Sequence, residues 1–166
     1  MRIEGELNRR GLSLPGPLRL PGGTPLPPTW VRIRGNRAFL SGHGPQAPDG
    51  SVAGPFGQVG AAVSIDEARH SAHLAALSIL GTLSRALGDL DRVTAWLTVS
   101  GSINAVPGYT ETPAVMNACS DLIVELYGDE VGAHARTAIG VAALPLDLPV
   151  IVACEVEIDR AGLGAS

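Results

Sequence analysis

The sequence predicts an α+β fold: a single mixed β-sheet with two helices packed on one face, preceded by a short N-terminal helix and a proline-rich arm. Two observations predict it. Two long segments place apolar residues at helical spacing, and about five shorter segments are rich in β-formers, in the order β-β-α-β-α-β-β. The chain has 166 residues, 45% of them hydrophobic and 17% charged, which suits one domain with a sizeable core.

Residues 3–10 (IEGELNRR) form the short helix, with Ile3 and Leu7 on one face and Gly11 as its stop. Prolines at 15, 17, 21, 25, 27 and 28 then fix φ and remove backbone donors, so this stretch is an extended arm lying over the domain. Trp30–Arg34 and Arg37–Ser41 flank Gly35-Asn36 and read as a hairpin. Residues 42–57 are a loop. Ser64 and Glu67 make a capping box, and Ile65, Ala68, Ala72, Ala76, Ile79, Leu83 and Leu87 supply one buried stripe ending at Gly88.

Val93–Ser100 reads as a strand with Val93, Ala95, Leu97 and Val99 on one face and Trp96 on the other. Thr112 serves as N-cap and Pro113 as first residue of a second helix, whose stripe of Val115, Cys119, Leu122 and Leu126 runs to Gly128. Segments 135–143 and 149–158 are the last two strands. In the second of these Val150, Val152, Cys154, Val156 and Ile158 share one face, and Ile151, Ala153, Glu155 and Glu157 the other. The organisation expected is an N-terminal helix and arm over 1–29, one domain over 30–160 and a tail over 161–166. A sheet covered on one side leaves apolar residues on the other, which predicts packing against another subunit.

Composition excludes several function classes. All twelve cations are arginine, so lysine Schiff-base chemistry and a P-loop lysine are absent. Sixteen acidic residues bring the net charge to −4 and no basic run occurs, which argues against nucleic acid as a partner. No apolar stretch reaches the ~20 residues of a membrane helix, and no charged-then-apolar leader opens the chain. Cys119 and Cys154 make neither a disulfide framework nor a zinc site, so a reduced, cytoplasmic protein is expected.

Few residues carry chemistry. Arg136 opens an otherwise apolar strand, with small Ala138, Gly140 and Ala142 on its face, leaving room beside the guanidinium for a planar anion such as a carboxylate. The alternative is a structural ion pair with one of the acids. His43 follows Ser41-Gly42 where a strand enters a loop, placing a neutral-pH proton carrier beside a backbone that a ligand can approach. Asp66, His70 and His73 share a helical face but lack a fourth ligand and read as a solvated surface, so no metal is expected. Gly54, Gly57 and Gly60 lack the dinucleotide spacing.

Gly35-Asn36 followed by Phe39-Leu40-Ser41-Gly42-His43-Gly44-Pro45 resembles a signature of the RidA/YjgF family. Ala135-Arg136-Thr137-Ala138-Ile139-Gly140-Val141 with Leu144-Pro145 resembles a second. The Asn104-to-Pro107 stretch and Asn117–Leu122 are similar to its longer chorismate-mutase-like, endoribonuclease-like branch. The resemblance, over roughly 3–158, implies a homotrimer with ligand clefts between subunits, no cofactor, and Arg136 binding the carboxylate of a small 2-keto or 2-imino acid. Backbone at Gly42 and Ala138 would contact the ligand, with Asn104 nearby and Trp30 as the aromatic nearest the family's tyrosine. The family's water-positioning glutamate falls on Ile151, which can neither take a proton nor orient water. Glu155 shares its face but lies about 13 Å further along the strand. The expected function is therefore binding of small carboxylates. The alternative is an imine deaminase in which His43 or Glu155 handles the proton, and ribonuclease activity fits the charge least well.

Overall fold

The computed structural model describes residues 1–22 and 26–159. The proline at 25, the domain boundary at 160 and the tail over 161–166 lie outside the described residues. The elements are helix α1 (Arg2–Arg9), hairpin strands β1 (Val31–Arg34) and β2 (Arg37–His43), helix α2 (Ile65–Leu87), strand β3 (Val93–Asn104), helix α3 (Thr112–Gly132), and strands β4 (Ala135–Val141) and β5 (Val150–Ile158). They form one sheet in the order β1-β2-β5-β3-β4. Only β3 and β4 run parallel, because the helical crossover of α3 joins them; the other neighbours are antiparallel. Among the described residues no helix is long and apolar enough to cross a membrane.

Helices α2 and α3 pack on one face of the sheet and leave the other open. The alternation read from β5 holds: Val150, Val152, Cys154, Val156 and Ile158 are buried, while Ile151, Ala153, Glu155 and Glu157 stand on the open face. The capping box of α2 forms both of its bonds, Glu67 N–H to Ser64 Oγ at 3.2 Å and Ser64 N–H to Glu67 at 2.8 Å. Its middle turns, Ala75 to Leu83, are buried all round rather than along one stripe. Helix α3 and the arm both add cover: α3 packs along α2, Pro15 sits against Gly81, and Arg85 donates to the Pro15 carbonyl at 2.9 Å. Leu12 and Leu14 pack on the same core.

Three readings need correction. Plain alternation along β3 turns Ala95 and Leu97 inward and Trp96 outward. Register shifts between Val93 and Ala95 and between Trp96 and Thr98 reset the phase, so Val93, Trp96, Val99 and Ile103 are buried instead. Thr112 does not cap α3; its hydroxyl donates to the Ala138 carbonyl of β4 at 2.9 Å, tying the helix start to the sheet edge. Helix α3 continues past Gly128 to Gly132, although Gly128 interrupts it with non-helical angles (φ 79°, ψ 169°). In addition β2 runs two residues beyond the expected Ser41, which brings Gly42 and His43 into the sheet.

The arm is docked through its backbone. Arg19 N–H donates to Gly50 O at 2.9 Å and Gly16 N–H to Pro48 O at 3.1 Å. Gly50 has φ +87°, and a Cβ there would run into the Pro17 carbonyl oxygen. Both the left-handed backbone and the contact oppose a side chain. Gly50→Ala is expected to lower unfolding free energy by about 1–3 kcal/mol and to expose the arm to limited proteolysis. Denaturation midpoints and cleavage patterns equal to those of the parent chain would contradict this.

Candidate functional site

Arg136, the second residue of β4, reaches over α3 and stays exposed. One guanidinium nitrogen donates to Asn117 Oδ1 at 2.8 Å and to Ser120 Oγ at 3.2 Å. Ser120 Oγ also lies 2.9 Å from His134 Nε2, and His134 Nδ1 lies 2.7 Å from the Gly132 carbonyl. A carbonyl only accepts, so Nδ1 donates to Gly132, and the Ser120 oxygen, also within hydrogen-bond distance of Nε2, accepts from Arg136. The guanidinium is thus oriented by neutral groups. No carboxylate pairs with it within 4.0 Å among the described residues, so the structural ion pair weighed from sequence is not formed there. A cation held by neutral acceptors on an exposed strand keeps its capacity for an incoming anion.

Beside it, Ala138 is half-buried, with its carbonyl taken by Thr112. β4 is an edge strand, with no strand paired to its outer side among the described residues.

Most of the other predicted residues gather on or beside β2 and β5. Gly42 and Ile151 meet across these strands, where a Cβ on Gly42 would come within 2.7 Å of Ile151 Cγ2. The half-buried Trp30 meets His43 edge-on, ring centroids 5.3 Å apart. Gly42, His43, Ile151 and Trp30 line one cavity of about 200 Å³, walled on its far side by Leu18 and Leu148.

His43 is buried and both ring nitrogens are engaged. Nδ1 faces the Ser41 carbonyl at 2.5 Å and Nε2 the Thr82 hydroxyl at 2.9 Å. Burial, reinforced by nearby Arg85 and opposed by the Ser41 carbonyl, pushes its pKa down from 6.5 to about 4. At neutral pH it is an uncharged imidazole with no nitrogen free for substrate. Glu155 is also engaged, in an ion pair with Arg37 on the open face. Asn104 is buried at the end of β3, where its Nδ2 donates to Asp147 Oδ1 at 3.1 Å and helps hold the 3-10 turn Pro145–Asp147.

Apart from Asn104 at the end of β3, the predicted residues therefore form two groups. Arg136 and Ala138 lie on β4; Trp30, Gly42, His43 and Ile151 lie on or beside β2 and β5. Three strand spacings, about 14 Å, separate β4 from β2, so one chain does not bring the guanidinium to Gly42. Sequence reasoning missed Asn117, Ser120 and His134 around Arg136. The i,i+3 pair Asn117 and Ser120 beside the Val115–Cys119 stripe is the signal that could have found two of them. It also missed that the hairpin aligns Arg32, Arg34 and Arg37 on the open face, since alternate residues of a strand share a side.

The family model described as "YjgF/chorismate mutase-like, putative endoribonuclease" matches residues 31–158. The chain belongs to this YjgF family. The family match and the mixed five-strand sheet bear out the RidA/YjgF resemblance and the fold expected from it. A curated relative, protein TCP17 of Trypanosoma cruzi, is 36% identical over 163 residues, covering 96% of each chain. The crystal structure of Atu1372 from Agrobacterium tumefaciens is 34% identical, with a TM-score of 0.82 over 95% of this chain and 92% of that one. A structure from Shewanella oneidensis, titled as a "putative endoribonuclease", is 27% identical, with a TM-score of 0.84 over 95% of this chain and all of the other. Coverage of this extent reaches beyond the segment 31–158 that the family model matches.

The depressed pKa of His43 has a consequence for stability. The unfolded chain takes up this proton as pH falls through about 6.5, whereas the folded chain resists until about 4. Stability present above pH 6.5 is therefore lost on acidification through this window, by up to about 3 kcal/mol from this group. His43→Gln is expected to flatten that part of the profile. Melting curves from pH 7.5 to 4.5 that run parallel for the two proteins would contradict the assignment.

Proposed function

We propose that this YjgF-family chain is a homotrimer that binds small 2-keto or 2-imino carboxylates in clefts between subunits. Arg136 of one copy would supply the anion contact and the Gly42–Ile151 rim of the next would complete the cleft. The observation that carries the reading is the Arg136 guanidinium, exposed, oriented by Asn117 and Ser120, and without a carboxylate partner among the described residues. A planar carboxylate offers the bidentate match that such a group lacks. The roughly 14 Å between β4 and β2 and the unpaired edge of β4 both favour a site completed by a second copy. Phe39 (41% exposed) and Ile139 (52%) stand on the open face and suit burial against another subunit. We take its compartment to be the cytoplasm, where the free thiols of Cys119 and Cys154 stay reduced.

Binding is favoured over imine hydrolysis because no group at the rim is free to move a proton. Ile151 has no titratable atom, both nitrogens of His43 are occupied, and Glu155 is paired with Arg37. Ribonuclease action fits least. Of the three arginines on the open face, Arg37 is paired with Glu155, and the chain carries a net charge of −4.

Calorimetry with 2-ketobutyrate should show binding that Arg136→Ala removes, a loss on the order of 2–5 kcal/mol for a desolvated charged contact. Unchanged affinity in the variant overturns the anion site. Native mass measurement should give three copies per particle; a clean monomer overturns the interface cleft. Freshly generated 2-iminobutyrate should release ammonia only slowly above background. Rapid release abolished by His43→Ala would instead establish the deaminase.

A further inference from the structure

We infer that the cavity roofed by the proline-rich arm is a side-chain subsite for a bulky apolar group, so that the carboxylates bound are those bearing a branched-aliphatic or aromatic side chain. The inference rests on the proposed carboxylate cleft and names the class of acid it prefers.

The cavity of about 200 Å³ has Gly42 in its lining and is walled by Leu18, Leu20, Trp30, Val52, Leu148 and Ile151. Three of these walls come from the arm and its exit, two from β5 and the turn before it, and one from the loop after β2. Among the described residues two polar side chains line it, and the ring nitrogens of one and the amide N–H groups of the other are engaged within the protein. His43 is bonded through both nitrogens. Gln46 spends its amide N–H groups on the Gly50 carbonyl at 3.2 Å and the Gly16 carbonyl at 3.4 Å. A polar substituent entering this space would lose its water and meet mostly hydrocarbon, whereas an apolar group gains by leaving water. The volume accommodates an isobutyl or benzyl group, and a methyl or ethyl group would leave most of it unfilled.

The backbone of the Pro145–Asp147 turn beside the cavity supplies a second, independent observation. Leu146 (φ 57°) and Asp147 (φ 54°) are the non-glycine residues with positive φ among those described. L-residues take this conformation only when their surroundings over-determine it. Here Asn104 holds the Asp147 carboxylate, Asp147 N–H donates to Leu144 O at 3.2 Å, and Gly57 N–H donates to Asp147 O at 2.7 Å. The strained turn carries Leu146 onto the cavity wall with 38% of its surface exposed. Asn104 is thereby a positioning residue for an apolar lip rather than a direct ligand contact.

The test compares 2-ketobutyrate with 4-methyl-2-oxopentanoate and phenylpyruvate by calorimetry on the full chain. The parent protein should bind at least one bulky acid about tenfold or more tightly than 2-ketobutyrate, since each well-packed methylene is worth up to ~100-fold. Val52→Trp and, independently, Leu20→Trp should fill the cavity and abolish that preference while leaving 2-ketobutyrate affinity within about twofold. Two substitutions from different walls guard against one that disturbs folding. Equal or weaker binding of both bulky acids by the parent, or a preference that survives both filling variants, overturns the subsite. A size preference that Arg136→Ala leaves untouched supports the subsite and overturns the Arg136 cleft. Binding lost in Arg136→Ala with no size preference in the parent does the reverse. Failure of every acid to bind the parent chain overturns both.

Discussion

One-sided burial of the central strand β5 is the constraint on which the remaining structure depends. With period-2 geometry, putting Val150, Val152, Cys154, Val156 and Ile158 under the helices forces Ile151 and Glu155 onto the open face. β2 pairs with β5, and a register shift between Leu40 and His43 then turns the His43 ring inward and sets Gly42 against Ile151. A slip of one residue in β5 would exchange these faces, bury two glutamates and dissolve the rim. The chemistry near Gly42 is a by-product of where the core lies.

The fold was legible where local signals agree with tertiary demands. The capping box at Ser64 and Glu67, the Gly88 stop and the alternation along β5 each have one physical solution, and the structure adopts it. Legibility failed where two long-range demands compete. In β3 the phase is set by bulges against β5, which no window of that strand's own sequence encodes. Thr112 has the chemistry of a cap, yet β4 offers its hydroxyl a carbonyl that only the assembled sheet brings near. α2 reads as amphipathic by its strongest positions, but its small residues accept cover from the arm as well as from the sheet.

At the candidate site, the apolar context of Arg136 and the backbone exposure at Gly42 were visible in the sequence. What surrounds them was not. Whether an arginine meets an acid or an amide depends on α3 packing beside β4, and here Asn117 and Ser120 receive it. His43 was readable as a proton carrier by residue type alone; burial and the Ser41 and Thr82 partners make it a fixed neutral group instead. Residue type nominates and surroundings decide.

Pro15, seated against Gly81, and Arg85, bonded to the Pro15 carbonyl, mean that the outer side of α2 is completed by chain that precedes the first strand. The family-matched segment from 31 to 158 is thus shorter than the cooperative unit. A fragment trimmed to that segment would present a long helix with a naked apolar flank, a surface that invites self-association in place of the leader it has lost.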